Sequence, residues 1–525
     1  MFLVNTKKEE KTMNNIPQIK NDNGIPTLYV KGEPFFALSG EIHNSSASNL
    51  EYMEKNVWNN IEDLHMNSLI VPIYWELIEP VEGQYQFELL DGIIQQARKR
   101  NMHLIFLWFG LWKNSESMYV PGWMKQDTDN YFRVEKVNGE KINTISPLCE
   151  KAVQKDAQAF AEIMKHIREI DSEDSTVLFM QVENEIGLLG TACDYSPLAQ
   201  QEFAKEVPYE IAELYGVSGN WKAAFGTDAE EYFMAYHFAA AVETITKAGQ
   251  EEYPIPCYTN AWLKQYPWYA GSYPSGGPVR DAHKIWKLKA PSLFTLAPDI
   301  YVPYVPQVLD EYSYEGNPLV IPEVRKDAVT ASYCLYAFGK HNAICYSPFG
   351  VEELGMPPEL IDKPPMEVMI ALNIDPTAFD IEGSKEYFKR TYELMEQMKP
   401  LYLKYRGTEH LQAYCKKSET DYGTYFRFEK YDLAISYAPR MKAKPVGAGM
   451  VYELAENRFL IVGMMSNLTF YPKAGENVKV NYLRLEEGTI EKGEWKSERV
   501  LNGDEQMSLK LNDMPTCLYV ELYKY

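Results

Sequence analysis

The fold of this chain is most constrained by a recurring alternation, in which eight short β-rich runs are separated by stretches with helical periodicity. The runs are Phe35 to Ser39, Ser68 to Trp75, His103 to Phe109, Val177 to Val182, Ile255 to Asn260, Asp299 to Tyr304, Pro318 to Ile321 and Ala343 to Phe349. Amphipathic patterns lie between several of them. Met53, Val57, Ile61 and Leu64 follow the first run, Leu90, Ile94 and Ala97 follow the second, and Val153, Ala157, Phe160, Met164 and Ile167 precede the fourth. Strands that alternate with helices build parallel sheets. Eight such units are what a (β/α)8 TIM barrel requires, although an open doubly wound sheet satisfies the same alternation.

The character changes after roughly residue 380. One helix with Phe388, Tyr392, Met395 and Tyr402 on a face is followed by alternating runs, Thr424 to Tyr437, Arg458 to Met464 and Asn477 to Leu483, separated by Gly and Asn. Such runs suit a small antiparallel, sandwich-like β domain. At 525 residues the chain exceeds the usual ceiling for one hydrophobic core. The expected division is an N-terminal leader or extension over 1–28, a TIM-barrel catalytic domain over 29–385, and a helix plus C-terminal β domain over 386–525. The Gly-, Pro- and aromatic-rich stretch 260–284 reads as a long insertion at the barrel mouth.

A net charge of -22 argues against nucleic acid or anionic lipid as partner, since either needs a basic surface to displace counterions. A neutral substrate fits better, and the 38 Tyr and 10 Trp suit stacking on the faces of a small oligosaccharide or glycoside as well as ordinary core packing. No run approaches the roughly 18 apolar residues of a membrane span. The opening Met1-Phe2-Leu3-Val4 turns polar at once, too soon for a signal peptide, and Met13 reads as a second start site. The seven cysteines are scattered without a CxxC pair, so neither a disulfide framework nor a thiolate metal site is expected. The eight histidines show no ligand spacing, and no metal or other cofactor is expected. These features suit a cytoplasmic protein, and assembly into a homo-oligomer is compatible with its size.

Two glutamates stand where apolar runs end, Glu185 in Gln181-Val182-Glu183-Asn184-Glu185-Ile186-Gly187 and Glu323 in Val320-Ile321-Pro322-Glu323-Val324. Residues just past barrel strands form the active-site mouth. Two carboxylates placed there can break a glycosidic bond: a protonated one helps the leaving oxygen depart, and an ionised one attacks or stabilises the anomeric carbon. At about 5 Å apart they cannot both ionise easily. Asn184 is placed to bond a sugar hydroxyl near the reaction centre. On spacing alone, a glutamate after a strand is equally an ordinary solvated loop charge.

The local motifs sharpen this reading. Ser39-Gly40-Glu41-Ile42-His43, Glu79-Pro80 with Gly83, Tyr85 and Phe87, and Gln181-x-Glu183-Asn184-Glu185-x-Gly187 together resemble glycoside hydrolase family 35, a β-galactosidase family of the large retaining clan built on TIM barrels. The chain is further similar to a bacterial subgroup with a distinctive C-terminal β domain. The segments that carry this are His43-Asn44-Ser45-Ser46, Leu107-Trp108-Phe109-Gly110-x-Trp112-Lys113-Asn114, Pro298-Asp299-Ile300-Tyr301, Ser347-Pro348-Phe349-Gly350 and Leu501-Asn502-Gly503-Asp504-Glu505.

The resemblance implies that Glu185 is the acid/base, Glu323 the nucleophile and Asn184 the partner of the substrate 2-hydroxyl. It implies a retaining, exo-acting β-glycosidase, with β-galactosides as the expected substrates. Fucosides, arabinopyranosides or glucosides are the alternative within enzymes, and a non-catalytic sugar-binding protein is the alternative outside them. The chain departs from the family pattern at Asn44, at Trp75-Glu76-Leu77-Ile78 and at Trp112-Lys113-Asn114, in loops that normally grip the galactose hydroxyls.

Further candidates for sugar contact are Glu41, His43, Glu79, Trp112, Lys113, Asn114, Trp262 and Tyr301. Glu41 is equally placed to pair with Lys113, and His43 suits an orienting role. Trp75, Trp112 and Trp262 are candidates for a stacking floor, whereas Trp108, mid-strand, reads as core. Tyr301 is placed to hydrogen-bond the nucleophile, or is a structural phenol. Lys113 beside carboxylates favours their ionised forms.

Overall fold

Eight parallel strands pair in a ring in the computed structural model, which describes residues 15–361, 363–371, 375–491 and 493–525. In chain order they are Ala37–Leu38, Ser68–Tyr74, His103–Lys113, Val177–Asn184, Cys257–Trp262, Leu293–Ile300, Val320–Val324 and Cys345–Pro348. Consecutive strands pair from the second to the eighth, and the eighth pairs with the first. The ring closes just past the first strand, where Glu41 bridges Ile70 and the Ile70 amide donates to the Gly40 carbonyl at 2.8 Å. That closure excludes the open doubly wound sheet, which would leave two edges unpaired.

Strand composition follows from burial. Every residue of Ser68–Tyr74 and of Val177–Asn184 is buried, because a barrel strand is covered by the packed interior on one side and by helices on the other. The outer helices supply the matching apolar stripes. Glu88–Lys99 buries Leu90, Ile93, Ile94 and Ala97, and Glu150–Asp171 packs along Ala229–Glu252.

Strand bounds shift from those read in the sequence, the fourth strand running on to Asn184 and the seventh to Val324. The third strand runs on to Lys113, carrying the polar end of the motif into the barrel wall. The first strand is shorter, Ala37–Leu38. The sixth strand is Leu293–Ile300, so Asp299 lies near its end and not at its start, and the chain beyond enters a loop and the helix Val305–Tyr312, with Pro306 in its first turn.

The leader expected over 1–28 lies outside the described residues as far as residue 14. From Gln18 on it is structured. Gln18–Asp22, Ile25–Val30 and Glu33–Phe35 form an antiparallel sheet. Arg406 ties this sheet down, reaching Asp22 Oδ2 at 2.9 Å and Thr27 Oγ1 at 2.8 Å.

The helix Ser384–Tyr405 contains the boundary expected at residue 386. Its Phe388, Tyr392, Met395, Met398 and Tyr402 are buried in the same core as the barrel, and the Tyr392 hydroxyl lies 2.8 Å from the Ser39 carbonyl and 3.0 Å from that of Tyr346. Beyond it, two antiparallel sheets of six and four strands face each other. Leu433, Ile435, Val451, Phe459, Ile461, Leu468, Phe470, Leu518 and Val520 fill a second core between them. All seven cysteines are buried free thiols. No described helix is long and apolar enough to cross a membrane.

Candidate active site

The ends of the fourth and third strands are locked together by a buried carboxyl pair. Glu183 accepts from the amides of Leu111 at 3.1 Å and Trp112 at 2.6 Å, and Asp156 accepts from the Trp108 indole at 2.7 Å and from the Leu111 amide at 2.8 Å. Burial pushes the Glu183 carboxyl well up and that of Asp156 up to about 6, so the pair shares a proton between neighbouring oxygens. Gly110 sits against them. A Cβ there would lie 2.4 Å from Asp156 Oδ2 and 2.5 Å from Glu183 Oε1, so space alone requires glycine.

This lock imposes an unusual backbone course. Glu183 and Glu185 both have positive φ, 62° and 45°, in the left-handed region that non-glycine residues rarely occupy. The turn is held from both sides. The Glu185 amide donates to Asn260 Oδ1 at 2.9 Å, and the Ser115 amide donates to the Glu185 carbonyl at 3.2 Å. The result is a Glu185 side chain aimed into the mouth.

Glu323 ends the seventh strand opposite. Tyr301 donates to its Oε2 at 2.5 Å and Asn184 Nδ2 to its Oε1 at 3.3 Å. Asn184 is oriented in turn by Lys113, whose Nζ donates to Asn184 Oδ1 at 2.8 Å and also to Asn114 Oδ1. One oxygen from each of Glu185, Asp299 and Glu323 lies within 4.8 Å of the other two. That is close enough in principle to share a cation, but both oxygens of Glu323 are met by Tyr301 and Asn184, Asp299 Oδ2 is met by Asn260, and the Lys113 ammonium already faces the cluster. We therefore read the cluster as a site of proton chemistry.

The charges sort by environment. Burial, reinforced by the Glu323 charge, pushes Glu185 up to about 8, against the opposing pull of Lys113 and of a hydrogen bond from Asp299. Glu41 and Asp299 are pushed well up, by burial first and then by Glu323. Four buried carboxyl groups thus face one buried ammonium, and balance favours a single carboxylate. Glu323, with two donors aimed at it, is the group arranged to hold that charge.

These groups line a cavity of about 420 Å³, with His43, Lys113, Asn114, Trp262 and Tyr301 on its wall. One side is closed by Ala378 and Phe379, in a turn pinned by Arg325 through Asp375 and Thr377, both at 3.0 Å. His43 holds an orienting bond, its Nε2 lying 2.6 Å from Glu353 Oε1, and the same carboxylate pairs with Lys326 at 2.9 Å. Glu41 is buried beside the cavity with Oε2 unpartnered.

Two expected sugar contacts lie elsewhere. Trp112 is fully buried in the core, its indole donating to the Ile145 carbonyl at 2.9 Å and its ring packed edge-on to Phe238. Because the third strand continues to Lys113, side-chain alternation turns Lys113 inward and Trp112 outward. Glu79 pins a loop, accepting from the Trp75 indole at 2.8 Å and the Gly83 amide at 2.7 Å. Trp75 is core as well, which leaves Trp262 as the one member of the expected stacking floor on the cavity wall.

Sequence reasoning missed Asp299 and Asn260 as site residues. Placing Asp299 at the start of a strand put it at the wrong end of the barrel. Asn260, the last residue of its run, carried the same strand-end signal as Glu185.

The closed barrel thus brings two glutamates, one just past its fourth strand and one near the end of its seventh, to a single mouth. A family model described as Beta-galactosidase, of glycoside hydrolase type 42, matches residues 51–233, and one described as Domain of unknown function (DUF5597) matches residues 388–511. Beta-galactosidase LacA of Lactobacillus acidophilus is 24% identical over 172 residues, 30% of this chain and 23% of that protein. Beta-galactosidase LacZ of a strain of the same species matches to the same extent. The chain thus spans under a quarter of the length of these curated relatives.

Among known structures, Gan42B, a GH42 β-galactosidase from G. stearothermophilus, superposes with a TM-score of 0.50 at 10% identity, covering 93% of this chain and 98% of that one. That likeness is one of fold. The family model that matches part of the chain is of type 42, where the short motifs resemble family 35, and both describe β-galactosidases.

Proposed function

We propose that this protein is a retaining, exo-acting β-glycosidase that removes galactose from small β-galactosides. The observation that carries this is the proximity of Glu185 and Glu323 within 4.8 Å, in environments that keep a proton on the first and direct two donors at the second. Carboxyl groups about 5 Å apart leave no room for an intervening water and suit double displacement. The match to a Beta-galactosidase family model favours galactose as the glycone. The family 35 reading rests on the motifs around Glu41, Glu79 and Glu185, features that members of one clan share.

In the first step a Glu323 oxygen attacks the anomeric carbon while Glu185 gives its proton to the departing oxygen, so the aglycone leaves as an alcohol and the sugar is held as an ester. In the second, Glu185 takes a proton from water, the resulting hydroxide attacks the same carbon, and Glu323 leaves as a carboxylate. Asn184, held by Lys113, is placed to donate to the sugar 2-hydroxyl beside Glu323. A panel of nitrophenyl β-glycosides, with the product anomer followed by NMR, tests the proposal. Galactoside turnover with β product supports it, and α product or no turnover of any glycoside contradicts it.

A further inference from the structure

Asp299 has no part in the two-carboxylate cycle, yet it sits within it. Its Oδ2 accepts from Asn260 Nδ2 at 2.6 Å, and Asn260 is the residue whose Oδ1 accepts from the Glu185 amide and so helps hold the positive φ of the acid/base. Its Oδ1 is buried where no N–H or hydroxyl donor meets it, and its carboxyl lies within hydrogen-bonding reach of that of Glu185 on the cavity wall. A buried carboxyl oxygen that no donor meets costs free energy unless it carries a proton to a neighbouring acceptor itself.

We infer that Asp299 is a positioning residue for the acid/base: Oδ2 sets the Glu185 backbone through Asn260, and Oδ1 carries a proton that it donates to the Glu185 carboxylate while the sugar is held on Glu323.

This rests on the proposed double displacement and deepens it. In the resting site the negative charge belongs to Glu323. Once Glu323 becomes an ester, Glu185 has given up its proton and the charge moves across the site to it. A donor is then needed beside Glu185, in a place where no water need enter. Asp299 meets that need and keeps its own proton throughout, so the atom balance of the cycle is unchanged. The charged and titratable groups around it are Glu41, Lys113, Glu185 and Glu323, with the phenols of Tyr258, Tyr301 and Tyr312 nearby. Three of the four charged groups are carboxyls, and only Lys113 favours ionisation, which fits a neutral Asp299.

Two variants of the full-length protein test the inference. Asp299→Asn keeps an acceptor for Asn260 and a neutral N–H donor toward Glu185, so kcat/KM on a nitrophenyl β-glycoside stays within about fivefold of the parent, whereas Asp299→Ala lowers it about 100-fold. The alkaline limb of the pH profile separates this role from mere packing. It moves to higher pH in Asp299→Ala, which loses the bond that favours ionised Glu185, and stays put in Asp299→Asn. An alkaline limb unmoved in Asp299→Ala, or an Asp299→Asn variant as impaired as the alanine, overturns the inference.

Infrared difference spectroscopy of parent against Asp299→Asn at neutral pH gives a second reading that needs no turnover. Loss of a protonated-carboxyl carbonyl band supports the inference, and its absence from the difference overturns it. A parent inactive on every glycoside sinks the proposed function instead, and the infrared band still decides the state of Asp299.

Discussion

Tyr301 Oη lies 2.5 Å from Glu323 Oε2 and Asn184 Nδ2 lies 3.3 Å from Oε1, while Glu185, across the cleft, holds its amide on Asn260 and its carboxyl among other acids. The two glutamates are alike in chemistry and opposite in surroundings. Their division of labour follows from that asymmetry.

Removing each glutamate therefore has a different chemical consequence. Glu323→Ala abolishes turnover of all β-glycosides, and added azide gives the α-glycosyl azide by a single displacement. Glu185→Ala loses at least about 100-fold on substrates with poor leaving groups and less on activated ones, because a good leaving group needs no proton. Azide then enters from the face of the missing side chain and gives the β-glycosyl azide. Product configuration by NMR checks both, and the same anomer from both variants contradicts the assignment.

The pH dependence has a fixed sign. Burial raises Glu185 from 4.5 to about 8, so its acid form is present at neutral pH and is lost as pH rises through about 8. kcat/KM on a poor leaving group falls about tenfold per unit above that point. Stability moves the same way. Between the unfolded value and the folded one the native state binds the extra proton, so stability declines with rising pH. Glu185→Gln removes that proton uptake, and its gain in Tm over the parent is larger near pH 8 than near pH 5.

The tryptophans separate by role. Trp262→Ala, on the cavity wall, raises KM with little change in Tm. Trp112→Leu, in the core, opens space beside Phe238 and orphans the Ile145 carbonyl, so it lowers stability by about 2 to 4 kcal/mol, and Tm with it, and leaves KM nearly unchanged. Thermal melts and Michaelis kinetics on both variants check this.

The lock behind Glu185 is as sensitive as the site itself. Asp156→Ala leaves the Trp108 indole N–H buried without an acceptor, at a cost of about 1 to 3 kcal/mol. Gly110→Ala forces a Cβ into the Asp156 and Glu183 carboxyls. Both variants lower Tm, and Gly110→Ala also lowers kcat, because the third and fourth strand ends separate where Glu185 is held. A Gly110→Ala protein with parental Tm and kcat contradicts this role.

The barrel was readable because its apolar runs are short, evenly interleaved with helical stripes, and eight in number. The second core was readable from the switch to alternating runs such as Arg458 to Met464, now the strand Arg458–Met464. What escaped was register. Leu293 to Leu296 mixes apolar residues with a threonine and has no sharp edge, so the sixth strand was placed too late and Asp299 was put at the wrong end. The side on which Trp112 falls depends on how far the third strand continues, and residue type cannot reveal that. Glu79, in a motif beside other site segments, turned out to serve the Trp75 indole and a loop amide, partners brought to it by the fold.

The most direct measurement is covalent trapping with an activated 2-deoxy-2-fluoro-β-galactoside, followed by peptide mass spectrometry of the inactivated protein. The fluorine slows both steps, and the good leaving group lets the first still proceed, so the ester accumulates. One sugar per chain is expected, attached to Glu323 and released with recovery of activity. A label on Glu185, on Asp299 or on any other side chain contradicts it.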